Sequence, residues 1–137
     1  MLPNPFLKLG ALEDEWQVEF ASLTGQVFAL MGGIASDEQA RQIVRAADRH
    51  LYDLEVGGYR LNTDFGADAA RLSMKLGRCF GFAFGHKENG AMFSHMAVMY
   101  ANALYQRGLV PEGYAVLDGI YRHCQDLSLS GIYPGIP

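Results

Sequence analysis

The segment Gly85–His95, GHKENGAMFSH, sets a lysine, a glutamate, an asparagine and histidines beside a long apolar stretch. Lysine and glutamate make directional hydrogen bonds to hydroxyl-rich ligands, and a histidine carries a proton or meets a phosphate oxygen. A helix starting near Gly90 gathers Lys87, Glu88 and Asn89 at its N-terminus, where free amides and the dipole favour an anion or a sugar hydroxyl. On such a helix Glu88 and His95 fall within about 20° of one face and roughly 10 Å along the axis. A purely structural role competes with this expectation: His95 as a hydrogen-bonded core histidine, Lys87 and Glu88 as a solvated charge pair.

Other chemistries find less support. GHKENG lacks the GxxxxGK[ST] spacing of a phosphate loop, and GGYRLN carries no dinucleotide fingerprint. His50, His86, His95 and His123 show no HxxxH or HExxH spacing, which argues against a metal site. Trp16, Tyr59, Phe80, Phe82 and Phe84 offer faces on which a sugar could stack, but aromatics at this density are expected in the core.

The elements that position these residues follow from hydrophobic spacing. From Leu12 to Met31 apolar residues recur at mixed helical intervals, which predicts a helix apolar on more than one side. Gly32 and Gly33 end it, and Ser36 with Gln39 forms a capping box for a second helix. That helix carries Ala40, Ile43, Val44, Ala47 and Leu51 on one stripe, with Asp37, Glu38, Arg41, Arg45 and Asp48 elsewhere on the wheel. Between Asp53 and His86, glycines punctuate aromatic residues in a long irregular excursion, with a short β-type run at Gly58–Leu61. Excursions of this length inside a domain are usually functional or disordered, and the aromatic content argues for order.

A third helix over about Gly90–Gln106 is almost wholly apolar, and a fourth follows Pro111 with Tyr114, Leu117, Ile120, Tyr121 and Cys124 as its stripe. The alternation of buried and amphipathic helices predicts an all-α fold of two αα-hairpins, the repeating unit of an (α/α)6 toroid. Four helices cannot close that ring, and the last residues, SGIYPGIP, read as a loop leading onward. The 137 residues are therefore expected to be one partial domain.

Half of the residues are hydrophobic and the formal net charge is -4, as in globular domains. No run of lysine and arginine appears, which argues against a nucleic-acid or anionic-membrane partner. The apolar stretch Ala91–Tyr105 is shorter than the roughly 20 residues of a spanning helix and contains Ser94, His95 and Asn102. The N-terminal MLPNPFLKLG has no secretory pattern, so a cytoplasmic location is the default expectation. Cys79 and Cys124 fit a reducing compartment and are expected to be buried thiols.

KENGAMFSH resembles the lysine–glutamate–asparagine–glycine segment, ending in histidine, of family 94 glycoside phosphorylases. GQVFALMGGIASDEQ (Gly25–Gln39) and the closing GIYPGIP (Gly131–Pro137) resemble further stretches of the same catalytic domain, in the C-terminal half of its (α/α)6 barrel. The resemblance implies inverting phosphorolysis of a β-linked gluco-oligosaccharide to a sugar 1-phosphate. It gives Lys87 and Glu88 to sugar hydroxyls, His95 to the attacking phosphate and Arg78 to an acceptor-site position. It also implies no cofactor beyond inorganic phosphate as co-substrate, and a homo-oligomer, a dimer, for the full-length enzyme.

Phosphate carries its own negative charge, so such a site needs cations and hydrogen-bond donors to hold it and a single carboxylic acid to protonate the leaving oxygen. The family's general-acid aspartate and its threonine–glycine phosphate loop match no residue here, so no catalytic residue is assigned and the isolated chain is expected to be inactive. Met96–Tyr100 replaces the asparagine–proline–tryptophan type run that follows the motif histidine in cellobiose- and chitobiose-type members. With Arg78, this difference argues against cellobiose and leaves another β-glucan, a β-1,2-linked one included, as a substrate. A glycoside hydrolase on the same toroid and a non-catalytic helical carbohydrate-binding or interaction module are the rival readings.

Overall fold

Ser36 closes the best-defined local signal in the chain: its hydroxyl accepts from the Gln39 amide at 3.3 Å, and Gln39 Oε1 accepts from the Ser36 amide at 2.7 Å. The computed structural model, which describes residues 7–10, 17–64, 81–126 and 128, starts a helix at this box. Two short strands come first, β1 (Leu7–Gly10) and β2 (Gln17–Phe20), paired antiparallel with Leu7 opposite Phe20. The helices α1 (Leu23–Met31) and α2 (Asp37–His50) follow. A minimal hairpin, β3 (Tyr52–Asp53) and β4 (Gly58–Tyr59), comes next, and the helices α3 (Ser94–Gln106) and α4 (Val110–Gln125) complete the order. Among the described residues the fold is mostly helical, with two small two-stranded sheets added to four helices.

The core lies between α1, α3 and the inner faces of α2 and α4. Tyr100, Leu23, Leu30, Leu104 and Val27 are its largest fully buried side chains. α2 behaves as its spacing dictates: Ala40, Ile43, Ala47 and Leu51 are buried, and Asp37, Glu38, Arg41, Arg45 and Asp48 are exposed. Arg107, just past α3, donates to Ala35 O at 2.7 Å and Asp37 Oδ1 at 2.9 Å, tying the end of α3 to the start of α2.

Several expectations are corrected. The predicted helix over 12–31 is a strand over Gln17–Phe20 and a helix only from Leu23. QVEF alternates polar and apolar residues, a period-2 pattern that suits a strand. The backbone after it is engaged elsewhere, since Leu23 N donates to Leu61 O and Thr63 N to Ala21 O.

The third helix starts at Ser94 rather than Gly90. Gly90 sits at φ 73°, its amide donates to Asn62 Oδ1 and its carbonyl accepts from Arg60, while Ala91 O accepts from Leu61 N. Backbone groups committed across the chain cannot join a helical ladder.

Three of the five residues expected to turn α4 inward face solvent, Tyr114 at 64% exposure, Tyr121 at 63% and Leu117 at 37%, while Ile120 is half-buried. Gly113, Val116 and His123 face inward instead. The cause is Gly113, where even a Cβ would stand 3.1 Å from Ala101 O, so α3 and α4 approach along the one face that carries no side chain there. Cys124 is half-exposed rather than buried. Cys79, Trp16 and Phe80 lie outside the described residues.

Candidate functional site

Asn62 and Asn89 form the frame under the GHKENG segment. Both are buried, at 2% and 6% exposure. Asn62 Nδ2 donates to Asn89 Oδ1 at 3.1 Å and to Thr63 O at 3.0 Å, while its Oδ1 accepts from Gly90 N at 2.8 Å. Asn89 Nδ2 donates to Phe82 O at 2.7 Å. Satisfied buried amides of this kind fix one geometry, because any shift orphans a polar group.

On this frame the chain makes a tight turn. Asn89 N donates to His86 O at 3.0 Å and Gly85 N to Asn89 O at 2.7 Å, with Lys87 at the apex in the left-handed region, φ 47°. Lysine pays a conformational cost there that glycine would not. Its Nζ lies 5.0 Å from the centre of the Phe82 ring, a cation–π contact that leaves the residue exposed.

Arg60 locks the turn to the β3–β4 hairpin. It donates from Nε (2.8 Å) and Nη2 (2.5 Å) to Asp53 Oδ2 and from Nη1 (3.0 Å) to Gly90 O, with its guanidinium over the Phe84 ring. Burial alone would push the Asp53 carboxyl up. The Val56 amide, the Arg60 guanidinium and the Glu55 amide outweigh it and hold the group below its ordinary value.

His95 is in the first turn of α3, exposed, with its ring stacked on Phe93 at 5.3 Å and 26°. It is not a core histidine, and it does not lie two turns along a helix that also carries Glu88. Glu88 is half-buried in the turn, six residues before α3 begins, so the expected shared helical face does not exist. Lys87, Glu88 and His95 instead occupy one continuous segment: the turn, Ala91–Phe93 without regular structure, and the helix start. No side chain caps α3 and its first turn carries no acidic residue, so its N-terminal dipole is not offset locally. Arg78 lies outside the described residues.

Sequence reasoning missed Arg60, Asn62 and the buried role of Asn89. The signal was thin, a polar R-L-N-T-D run flanked by apolar and glycine-rich sequence. A second set of groups lies behind the hairpin. Tyr59 Oη donates to Asp48 Oδ1 at 2.5 Å, and Tyr59 packs edge-on against Tyr52 and Tyr100. Burial first, then the neighbouring Asp48, raises the hydroxyls of both Tyr59 and Tyr100.

Among the described residues no group of three or more His, Cys, Asp or Glu is placed to hold a metal ion, and no helix is long and apolar enough to cross a membrane. No protein-family model matches the chain, and no curated protein does.

Proposed function

We propose that this chain is part of an inverting glycoside phosphorylase, supplying sugar contacts from Lys87 and Glu88 and a phosphate contact from His95. One observation carries the reading: the KENG…H residues form a braced turn leading into an uncapped helix start, with Lys87 and His95 exposed. A lysine and a histidine kept in water at the edge of a fixed frame suit a polar, anionic ligand better than a structural role.

In this reading phosphate lies near the start of α3, where helix amides and the imidazole share its charge. The sugar lies toward the turn, held by the lysine and glutamate. The proton for the leaving oxygen comes from a carboxylic acid that this chain does not supply. Four helices with open apolar faces are compatible with a segment of an (α/α)6 barrel.

The test is a two-substrate kinetic study of the intact enzyme, with phosphate and β-glucoside varied independently. His95→Ala raises the kinetic constant for phosphate roughly 10- to 150-fold, the worth of one charge-assisted hydrogen bond, and moves that for the glycoside much less. Glu88→Gln does the reverse. Release of free glucose without phosphate would favour the hydrolase reading, and equal losses for both substrates would remove His95 from the phosphate site.

A further inference from the structure

Three tyrosine rings beside the β3–β4 hairpin run from the surface into the core. Tyr52 is 39% exposed, Tyr59 is half-buried and Tyr100 is fully buried. Tyr59 is the middle member: its ring centre lies 5.0 Å from that of Tyr52 and 5.2 Å from that of Tyr100, edge-on in both cases, so neighbouring rings touch and give an electron a contact path.

The three hydroxyls differ in where a proton can go. Tyr59 Oη donates to Asp48 Oδ1 at 2.5 Å, a carboxylate on the exposed side of α2. Tyr100 Oη is buried with no hydrogen-bond partner. Tyr52 meets solvent, where water is the base. A phenol that has lost an electron is a strong acid, so a tyrosine with a carboxylate already in place is oxidised faster than one that must release its proton to water, and one without an acceptor slowest of all. Burial and the neighbouring Asp48 both disfavour the Tyr59 phenolate, so its electron and proton leave together.

We infer that Tyr52 and Tyr59 form a relay for one-electron oxidation by a diffusible radical oxidant of the nitrogen dioxide class, with Tyr59 holding the oxidised site and Asp48 its proton. The oxidant takes one electron from the Tyr52 ring and becomes nitrite. An electron from Tyr59 refills that ring through the edge contact, the Tyr59 O–H bond breaks, and the proton moves to Asp48 Oδ1. Tyr59 ends as a neutral phenoxyl radical and Asp48 as a carboxylic acid that donates back to the phenoxyl oxygen. An ascorbate-type reductant, itself oxidised by one electron, reverses the sequence. Tyr100 stays intact because its hydroxyl has no acceptor. The inference does not depend on the phosphorylase reading.

The experiment photo-oxidises the full chain at pH 7 with flash-generated tris-bipyridyl ruthenium(III), a one-electron oxidant, and follows the tyrosyl radical by transient absorption and by electron paramagnetic resonance after freeze-quenching. Asp48→Asn keeps the shape and a hydrogen-bond acceptor but removes the base. It is expected to slow radical formation at least about tenfold and to make the rate rise between pH 6 and pH 8, where that of the unaltered chain is level. A purely structural Tyr59–Asp48 bond would lower the melting temperature of this variant and leave its rate unchanged. Tyr59→Phe, which keeps the ring packing, is expected to lose most of the early tyrosyl signal, and Tyr52→Phe to lose the fast phase of its formation. An early signal undiminished in Tyr59→Phe, an unchanged rate in Asp48→Asn, or a fast phase retained in Tyr52→Phe would each overturn the inference.

Discussion

Gly90 shows how much a single residue decides around the turn. A Cβ there would stand 2.2 Å from the Phe84 ring, at a φ of 73° that side chains rarely adopt. Gly90→Ala should therefore lower stability by about 1–3 kcal/mol through overpacking and backbone strain, read as a shift in the urea midpoint. Lys87→Gly at the apex should do the opposite, by a fraction of that amount, since it relieves the φ of 47°.

Asp53 adds a pH dependence at the same scale. Its folded carboxyl is held below the ordinary value, so its contribution is fully present above the unfolded pKa of about 3.9 and is lost as pH falls through the folded value. Asp53→Asn should cost about 1.5–3 kcal/mol at pH 7 by weakening the Arg60 contacts. The difference between the two proteins should shrink as unfolding is measured at progressively lower pH; a gap independent of pH would contradict the assignment.

Among the elements, α2 and α4 teach opposite lessons. α2 obeys local rules, and removing its cap with Ser36→Ala should cost about 1 kcal/mol in the midpoint of thermal or urea unfolding. For α4 the spacing of the large apolar residues points to the wrong face. Val116→Ala should cost about 1–3 kcal/mol by leaving a gap against α3, whereas Leu117→Lys, one position on, should stay within about 0.5 kcal/mol. Equal costs would mean that α4 is rotated from the orientation described. The exposed Glu38–Arg41–Arg45 cluster on α2 should contribute little to stability, because solvent screens it.

For the whole molecule, the functional prediction is that the 137-residue chain alone releases no glucose 1-phosphate from any β-glucoside above a no-protein control. General-acid assistance is typically worth about 10² to 10⁴ in rate, and no residue of this chain is assigned that role. Measurable release by the pure chain would show that one of its own carboxylic acids performs the proton transfer.

What the sequence determined by itself is what neighbours along the chain enforce: the Ser36–Gln39 box, the inward stripe of α2, the existence of four helices and the polarity of the KENG segment. Each depends on residues within one or two helical turns, where spacing and hydrogen-bonding type leave few choices. The tertiary structure alone decided where α3 begins, which face of α4 turns inward and that His95 meets solvent. Those outcomes rest on groups far apart in sequence, with Asn62 reaching Asn89, Arg60 reaching Gly90 and Gly113 lying against Ala101. Each such contact takes a backbone group, or the space for a side chain, that local periodicity would have used for the helix. Periodicity carries no information about a competitor brought in from another part of the chain.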